Sequence, residues 1–211
     1  LISNDLVTRL VMPAVMAKLD EVAPDIEIHL SSQITDTYER LEKSEADMAI
    51  LSITAPPAPF ESTVLFETSE SVLLMREGHE LSEGELTLDR LNGARHIAVG
   101  LINGGTTGIS NFFDVNALTN KISLTIDQII AGPSIVAASE LVMIVPRRLA
   151  AYQSSFQSVV YRELPKGNQL TIPEVRLVWH KRLNNNRPHV WFRDLLIEIG
   201  GQRPQYSRRE Y

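Results

Sequence analysis

Short apolar runs rich in β-formers alternate with helical patterns from one end of the chain to the other. This alternation constrains the fold more than any other feature. Parallel strands need long crossovers, and helices supply them, so the pattern predicts βαβ units with a mostly parallel sheet covered by helices. Leu1-Ile2 reads as the end of a strand. Ser3, Asn4 and Asp5 are N-cap types, and Leu6, Leu10, Ala14 and Val15 then keep a helical spacing. Pro13 falls inside that pattern, where it should kink the helix or mark its true first turn, and Pro24 ends it. Ile26, Ile28 and Leu30 alternate with Glu27 and His29, which predicts a strand over Ile26 to Leu30. A polar helix over about Ile34 to Lys43 and a buried strand over Asp47 to Leu51 follow.

Val64 to Phe66 and Val72 to Met75 read as extended segments, Gly78 to Glu85 as a polar connection, and Leu86 to Leu91 as a short helix. The pattern then restarts. A strand at His96 to Val99 leads into a glycine-rich loop, Gly100 to Gly108, and a helix near Ile109 to Ala117. Lys121 to Ile126 and Leu141 to Val145 are strands on either side of a helix over Gln128 to Ser139, with Gly132-Pro133 interrupting that helix early. Pro146 opens another helix at its first position. Val159 to Leu164 and Val175 to His180 are strands, and a last amphipathic helix runs from Arg187 to Ile199 until Gly200-Gly201 ends it. The repetition predicts two α/β lobes: residues 1–75 and 166–200 in the first, 76–165 in the second, the extended stretch near 72–76 as the crossover, and 201–211 as a flexible tail.

At 211 residues the chain can hold two lobes of about 100 residues each. Apolar residues make up 44% and charged residues 22%, which is globular and excludes a disordered tail or a coiled coil. The longest apolar run is a few residues, too short to span a bilayer, so no membrane association is expected. Zero cysteine excludes disulfides, thiolate metal sites and Cys nucleophiles; it fits the cytoplasm, and a Cys-free periplasmic protein would look the same. Twenty basic against 26 acidic residues give a net charge of −6, which argues against a nucleic-acid grip by this piece. The chain lacks an initiator Met and the pattern of a signal peptide, which reads as a fragment or a processed product.

Catalytic motifs are absent. There is no G-x-S-x-G elbow, no H-E-x-x-H and no Gly-Lys dipeptide of a P-loop, and Gly100 to Gly108 does not match G-x-G-x-x-G. In His79-Glu80 the second His is replaced by Glu83, which leaves a polar turn. The five histidines show no ligand spacing, so neither a metal nor another cofactor is expected, and no residue stands out as nucleophile or general base.

Small polar groups do gather at strand-to-helix junctions: Ser3-Asn4, Ser31-Ser32, Ser52, Asn103 to Thr106 (including Gly104 and Gly105) and Ser134. In open α/β sheets ligands sit beyond the carboxyl ends of the strands, where free amides and helix dipoles favour a carboxylate or phosphate. Helix capping is the better explanation of any one junction taken singly. As a set they point to binding of a small molecule.

The segment Leu177 to Arg182 together with Trp191 to Leu196 resembles the C-terminal end of LysR-type transcriptional regulators. Glu140 to Ala150, Ala46 to Ile50 and Arg76 to Leu81 with Leu86 to Leu88 are similar to further elements of that family, in the same order. Glu80 departs from it, standing where Pro usually follows the His. The resemblance implies an effector domain with the type II periplasmic-binding-protein fold, two Rossmann-like lobes, and a small carboxylate or aromatic effector held between them. DNA contact would belong to a winged helix-turn-helix upstream. The effector would meet Ser3, Asn4, Ser32 and Ser52 in one lobe and Asn103, Gly104, Thr106 and Ser134 in the other. His180 is a hinge or cleft candidate or else a satisfied core histidine. The resemblance also implies a homodimer or higher oligomer, pairing the helix from Asp5 to Lys18 with a partner's helix from Gln128 to Ser139. The rival reading, on the same fold, is an exported solute-binding protein of a transporter.

Overall fold

Asp5–Val22 form the 18-residue helix α1. Its buried positions, Val7, Val11, Met12, Val15 and Leu19, recur at three- and four-residue intervals, so one stripe of the helix faces the core. Asn4 caps it: the side-chain Oδ1 accepts from the Val7 N–H at 2.8 Å. Pro13 lies on the exposed face inside an unbroken helix, where its ring meets water instead of a neighbouring layer. The computed structural model describes residues 1–67, 69–100, 121–168 and 170–201. The loop expected at Gly100 to Gly108, beyond Gly100 itself, the helix expected at 109–117 and the tail from 202 lie outside them.

The chain divides into two compact units, one built from Leu1–Thr68 with the chain from Pro173 onward, the other from Ser69–Ile172. In the first, β1 (Ile2–Ser3), β2 (Met48–Ser52), β3 (Phe60–Phe66) and a late strand (Val175–His180) form a sheet ordered β1, β2, the late strand, β3. β1 and β2 are parallel and the late strand is antiparallel to β2 and β3. Alternation along the strands sorts side chains to two faces. Met48, Ile50, Leu177 and Trp179 join α1 and the C-terminal helix (Arg187–Gly201) in one core, while Ala49 and Val178 join Ile2 and Leu41 on the other. Leu41 belongs to α2 (Thr37–Glu42). The C-terminal helix approaches β3 closely, since a Cβ on Gly200 would stand 3.2 Å from Leu65 Cδ2 and 3.3 Å from the Leu65 carbonyl oxygen.

The second unit holds β4 (Ser69–Arg76), α3 (Leu88–Gly93), β5 (Arg95–Val99), β6 (Ile122–Ile126), α4 (Gly132–Ala137), β7 (Leu141–Pro146), α5 (Arg147–Gln153), β8 (Val159–Glu163) and β9 (Thr171–Ile172). Its sheet runs β6, β5, β7, β4, β8, with β9 pairing the start of β4. β5 is parallel to β6 and β7, while β4 is antiparallel to β7 and β8. The late strand of the first unit is therefore β10 and the C-terminal helix α6.

Several expectations are corrected here. The first crossing lies at Thr68/Ser69, not 75/76, and the return at Ile172/Pro173, not 165/166. The reason is β4: Val72, Leu73, Leu74 and Met75 are wholly buried in mid-sheet, so the stretch read as a crossover is the spine of the second unit. Ile26 to Leu30 forms no ladder; only Ser31 bridges to Ile2. α2 is shorter than expected because Asp36 adopts a left-handed conformation (φ 57°), which delays its start. Gln128 to Ser139 splits into a 3-10 turn and α4, and Pro146 ends β7 and caps α5 instead of opening it.

Candidate functional site

Three of the polar junctions meet at one edge of the first sheet. β1 and β2 run parallel with Ile2 opposite Ala49 and Ser3 opposite Ile50, so both strands end at the same side. Ser31 lies beside Ile2 in the same direction: its N–H donates to the Leu1 carbonyl at 3.0 Å, and its own carbonyl accepts from the Ser3 N–H at 3.0 Å. The chain thus leaves β1 at Asn4, the neighbouring segment at Ser32 and β2 at Ser52 along one carboxyl edge, where α1 also begins.

Their side chains differ in availability. Ser3 is buried, with its Oγ donating to the Asn4 carbonyl at 3.3 Å, and the Asn4 Oδ1 is committed to the helix cap. Ser31 Oγ accepts from Arg40 Nη1 at 3.1 Å. Ser32 and Ser52 are exposed, and the Ser52 hydroxyl reaches only the Pro173 carbonyl at a long 3.4 Å. Arg40, which also donates to the Gln33 carbonyl at 3.1 Å, is the charged residue that the sequence reading missed. It sits nine residues past Ser31 inside a polar helix, and nothing in its spacing marks it out.

In the second unit β5 and β6 end together, with the Gly100 N–H donating to the Ile126 carbonyl at 2.9 Å. Ser134 is exposed on α4, which follows that edge. Asn103, Gly104, Gly105 and Thr106 lie outside the described residues.

His180 does not join the serines. β10 is antiparallel to β2, with Val175 opposite Ser52 and Trp179 opposite Met48, so His180 lies past the start of β2. At about 3.3 Å per residue the sheet puts roughly 16 Å of strand between it and the Ser52 edge. Its Nδ1 accepts from the Arg182 N–H at 3.1 Å, its ring meets Phe60 edge-on at 5.4 Å, and Nε2 lies 3.8 Å from Glu42 Oε2. It is a capping, packed histidine, the second of the two readings left open for it.

An open groove of about 620 Å³ lies in the first unit beside β1, lined in part by Leu30, Met48, His189 and Trp191. His189 Nε2 donates to the Asp47 carbonyl at 3.1 Å, and burial holds its imidazole below the usual pKa. Among the described residues no group of three or more His, Asp or Glu side chains is placed to hold a metal ion. No described helix is long and apolar enough to cross a membrane.

The sequence model of the LysR substrate binding domain matches residues 3–200. The chain belongs to this family. Among LysR relatives, the HTH-type transcriptional regulator SyrM 1 of Sinorhizobium fredii (strain NBRC 101917 / NGR234) is 26% identical over 184 residues, which cover 86% of this chain and 53% of that protein. The HTH-type transcriptional activator NagR of Ralstonia sp is 24% identical over 196 residues, covering 89% and 62%. The chain therefore spans about half the length of SyrM 1 and somewhat more of NagR. The regulatory domain of MexT, a transcriptional activator in Pseudomonas aeruginosa, superposes with a TM-score of 0.76 at 16% identity, over 94% of this chain and 97% of that one. That of MetR, a LysR family regulator from N. meningitidis, gives 0.73 at 17%, over 95% and 92%. These matches show the expected type II periplasmic-binding-protein-like fold. The LysR relatives are regulators of transcription and not enzymes, and the transporter reading is not favoured.

Proposed function

We propose that this chain is the inducer-sensing part of a LysR-type transcriptional regulator, and that a small carboxylate or aromatic effector binds at the carboxyl edge of its first sheet. The observation that carries the reading is the register of β1, Ser31 and β2, which lines Asn4, Ser32 and Ser52 along one edge. Ser32 and Ser52 supply exposed hydroxyls there, and the Ser3, Asn4 and Ser31 side chains, already bonded internally, hold the edge in shape. The mechanism is a binding equilibrium: an effector that prefers one conformation shifts the population toward it.

DNA contact belongs in this reading to a winged helix-turn-helix upstream, consistent with the net charge of −6 and with HTH-type relatives about twice as long. The protein works in the cytoplasm as a homodimer or higher oligomer, with α1 against the partner's 128–139 segment. Met16 and Val22, large apolar side chains exposed on α1, support that pairing. A thermal-shift screen against small aromatic and aliphatic carboxylates tests the reading, because a ligand of the native state raises the melting temperature with concentration. A saturable shift is expected from one chemical class, together with altered operator binding by the longer protein. Stabilising ligands that leave operator binding unchanged contradict it.

A further inference from the structure

β10 carries a charge where its neighbours are apolar. Arg176 stands between Val175 and Leu177, opposite Leu51 of β2 and Val64 of β3, one residue inside the Ser52 edge. Alternation turns it to the face that also holds Ala49 and Val178. α2 closes that face over Ala49 and Val178 through Leu41. Nearer the edge, Leu51, Ile53 and Val64 are only half-buried.

The hydrogen-bonding capacity of Arg176 is not filled. Nη1 donates to Ser62 Oγ at 3.2 Å and Nη2 to Glu174 Oε2 at 2.5 Å, while the buried Nε–H has no partner among the described residues. The side chain stays 22% exposed, so a solute can reach it. A charged donor kept from water and left unpaired is unfavourable, and packing alone gives a central strand no reason to hold one. Its counter-ion is tied to the same edge. The Glu174 carbonyl accepts from the Ile53 N–H at 3.2 Å, and the preceding Pro173 carbonyl accepts from Ser52 Oγ at 3.4 Å.

We propose that Arg176 receives the carboxylate of the effector, and that Glu174 is the internal counter-ion which the ligand displaces. This role rests on the effector reading of the Ser52 edge, and it narrows the ligand class to anions with an apolar body. A carboxylate that meets the guanidinium side-on, at Nε and Nη2, satisfies the orphan donor in the two-pronged geometry arginine favours. Leu51, Ile53 and Val64 supply the apolar wall. Glu174 follows closely on the return at Ile172/Pro173, so its release carries the binding event to the segment that joins the two units.

Calorimetric titration of benzoate, an aromatic carboxylate, and of benzamide, its neutral counterpart, into the 211-residue chain tests the role. The wild type is expected to bind benzoate about tenfold or more tighter than benzamide, and Arg176→Gln to lose that preference. Glu174→Gln removes the competing carboxylate and keeps Arg176. It is expected to tighten benzoate binding and to leave benzamide unchanged. An ion pair that only supports the fold gives a different pattern, lower melting temperatures in both variants with the benzoate preference intact, and that result overturns the proposal. Benzoate binding that is the same in both variants but weakens in Ser32→Ala/Ser52→Ala overturns the role of Arg176 and keeps the edge. No benzoate binding by the wild type at about 10 mM overturns the proposal and leaves the edge to neutral effectors.

Discussion

The Arg193 guanidinium lies over the Trp179 ring, its Cζ 4.4 Å from the ring centroid. Both residues belong to the stretch by which the family is recognisable in the sequence, and their contact pins α6 to β10. Trp179 Nε1 also donates to Asn184 Oδ1 at 2.8 Å, and Arg193 Nη1 reaches the Leu183 carbonyl at 3.4 Å. Residues that identify the family are here holding its framework, far along β10 from the Ser52 edge. Arg193→Ala is expected to cost roughly 1–2 kcal/mol, a buried cation–π contact plus its packing, read as a fall in melting temperature. Arg193→Lys should recover only part of it, because an ammonium does not reproduce the planar stack.

Asn4 is both a member of the candidate edge and the cap of α1. Asn4→Ala is expected to destabilise by about 1 kcal/mol, and Asn4→Ser or Asn4→Asp by much less, since each can accept from Val7. Urea unfolding of the three variants checks this. Equal losses in all three would show that the cap contributes little.

Gly132 opens α4 where the helix meets β7, and a Cβ there would overlap the Met143 sulfur and stand 2.8 Å from its Cε. Met143 is wholly buried and cannot swing into solvent. Gly132→Ala is expected to cost roughly 1–3 kcal/mol as an overpacked core does. In Met143→Val, which vacates that space, the same substitution should cost much less, and a double-mutant cycle measures the coupling.

Two buried imidazoles give stability a pH dependence. His96 Nε2 lies 3.0 Å from the Leu91 carbonyl and His189 Nε2 lies 3.1 Å from that of Asp47, which each neutral ring satisfies as a donor. Burial lowers both pKa values below the ordinary 6.5, so the unfolded chain binds protons more readily than the folded one. Stability from these groups is complete above pH 6.5 and falls as the pH drops below it. Unfolding midpoints between about pH 5 and 7.5 should show that slope, shallower in a His96→Asn/His189→Asn variant. An unchanged slope in the variant would place the dependence elsewhere.

The strands most legible in the sequence are those that are buried on both faces. Leu141–Pro146 reads correctly because a short unbroken apolar run bounded by polar residues has few other uses, and Val175–His180 because Leu177, Val178 and Trp179 form a compact apolar centre. Ile26 to Leu30 carries an alternating strand signal, and its pairing depends on what lies beside it, which no local pattern encodes. The sequence predicts one helix over Gln128 to Ser139 because three apolar turns look alike whether they form a 3-10 turn and a short helix or one long helix. At the candidate site, Ser3, Asn4, Ser31 and Ser52 were legible through the rule that parallel strands end at one edge. For His180 the sequence leaves two readings open, and the antiparallel run of β10, which puts its last residue at the opposite side, favours the packed histidine over the cleft. Arg40 was missed because its role depends on a hydroxyl nine residues away across a turn.

The effector edge is the central claim, and isothermal titration of the best stabilising compound tests it most directly. The ligand is titrated into the wild-type chain and into Ser32→Ala/Ser52→Ala, whose substituted side chains are exposed and leave the fold intact. Saturable binding to the wild type, weakened about tenfold or more in the double variant by the loss of two hydroxyl contacts, is the predicted result. Equal affinity in both would contradict it and move the effector away from this edge of the sheet.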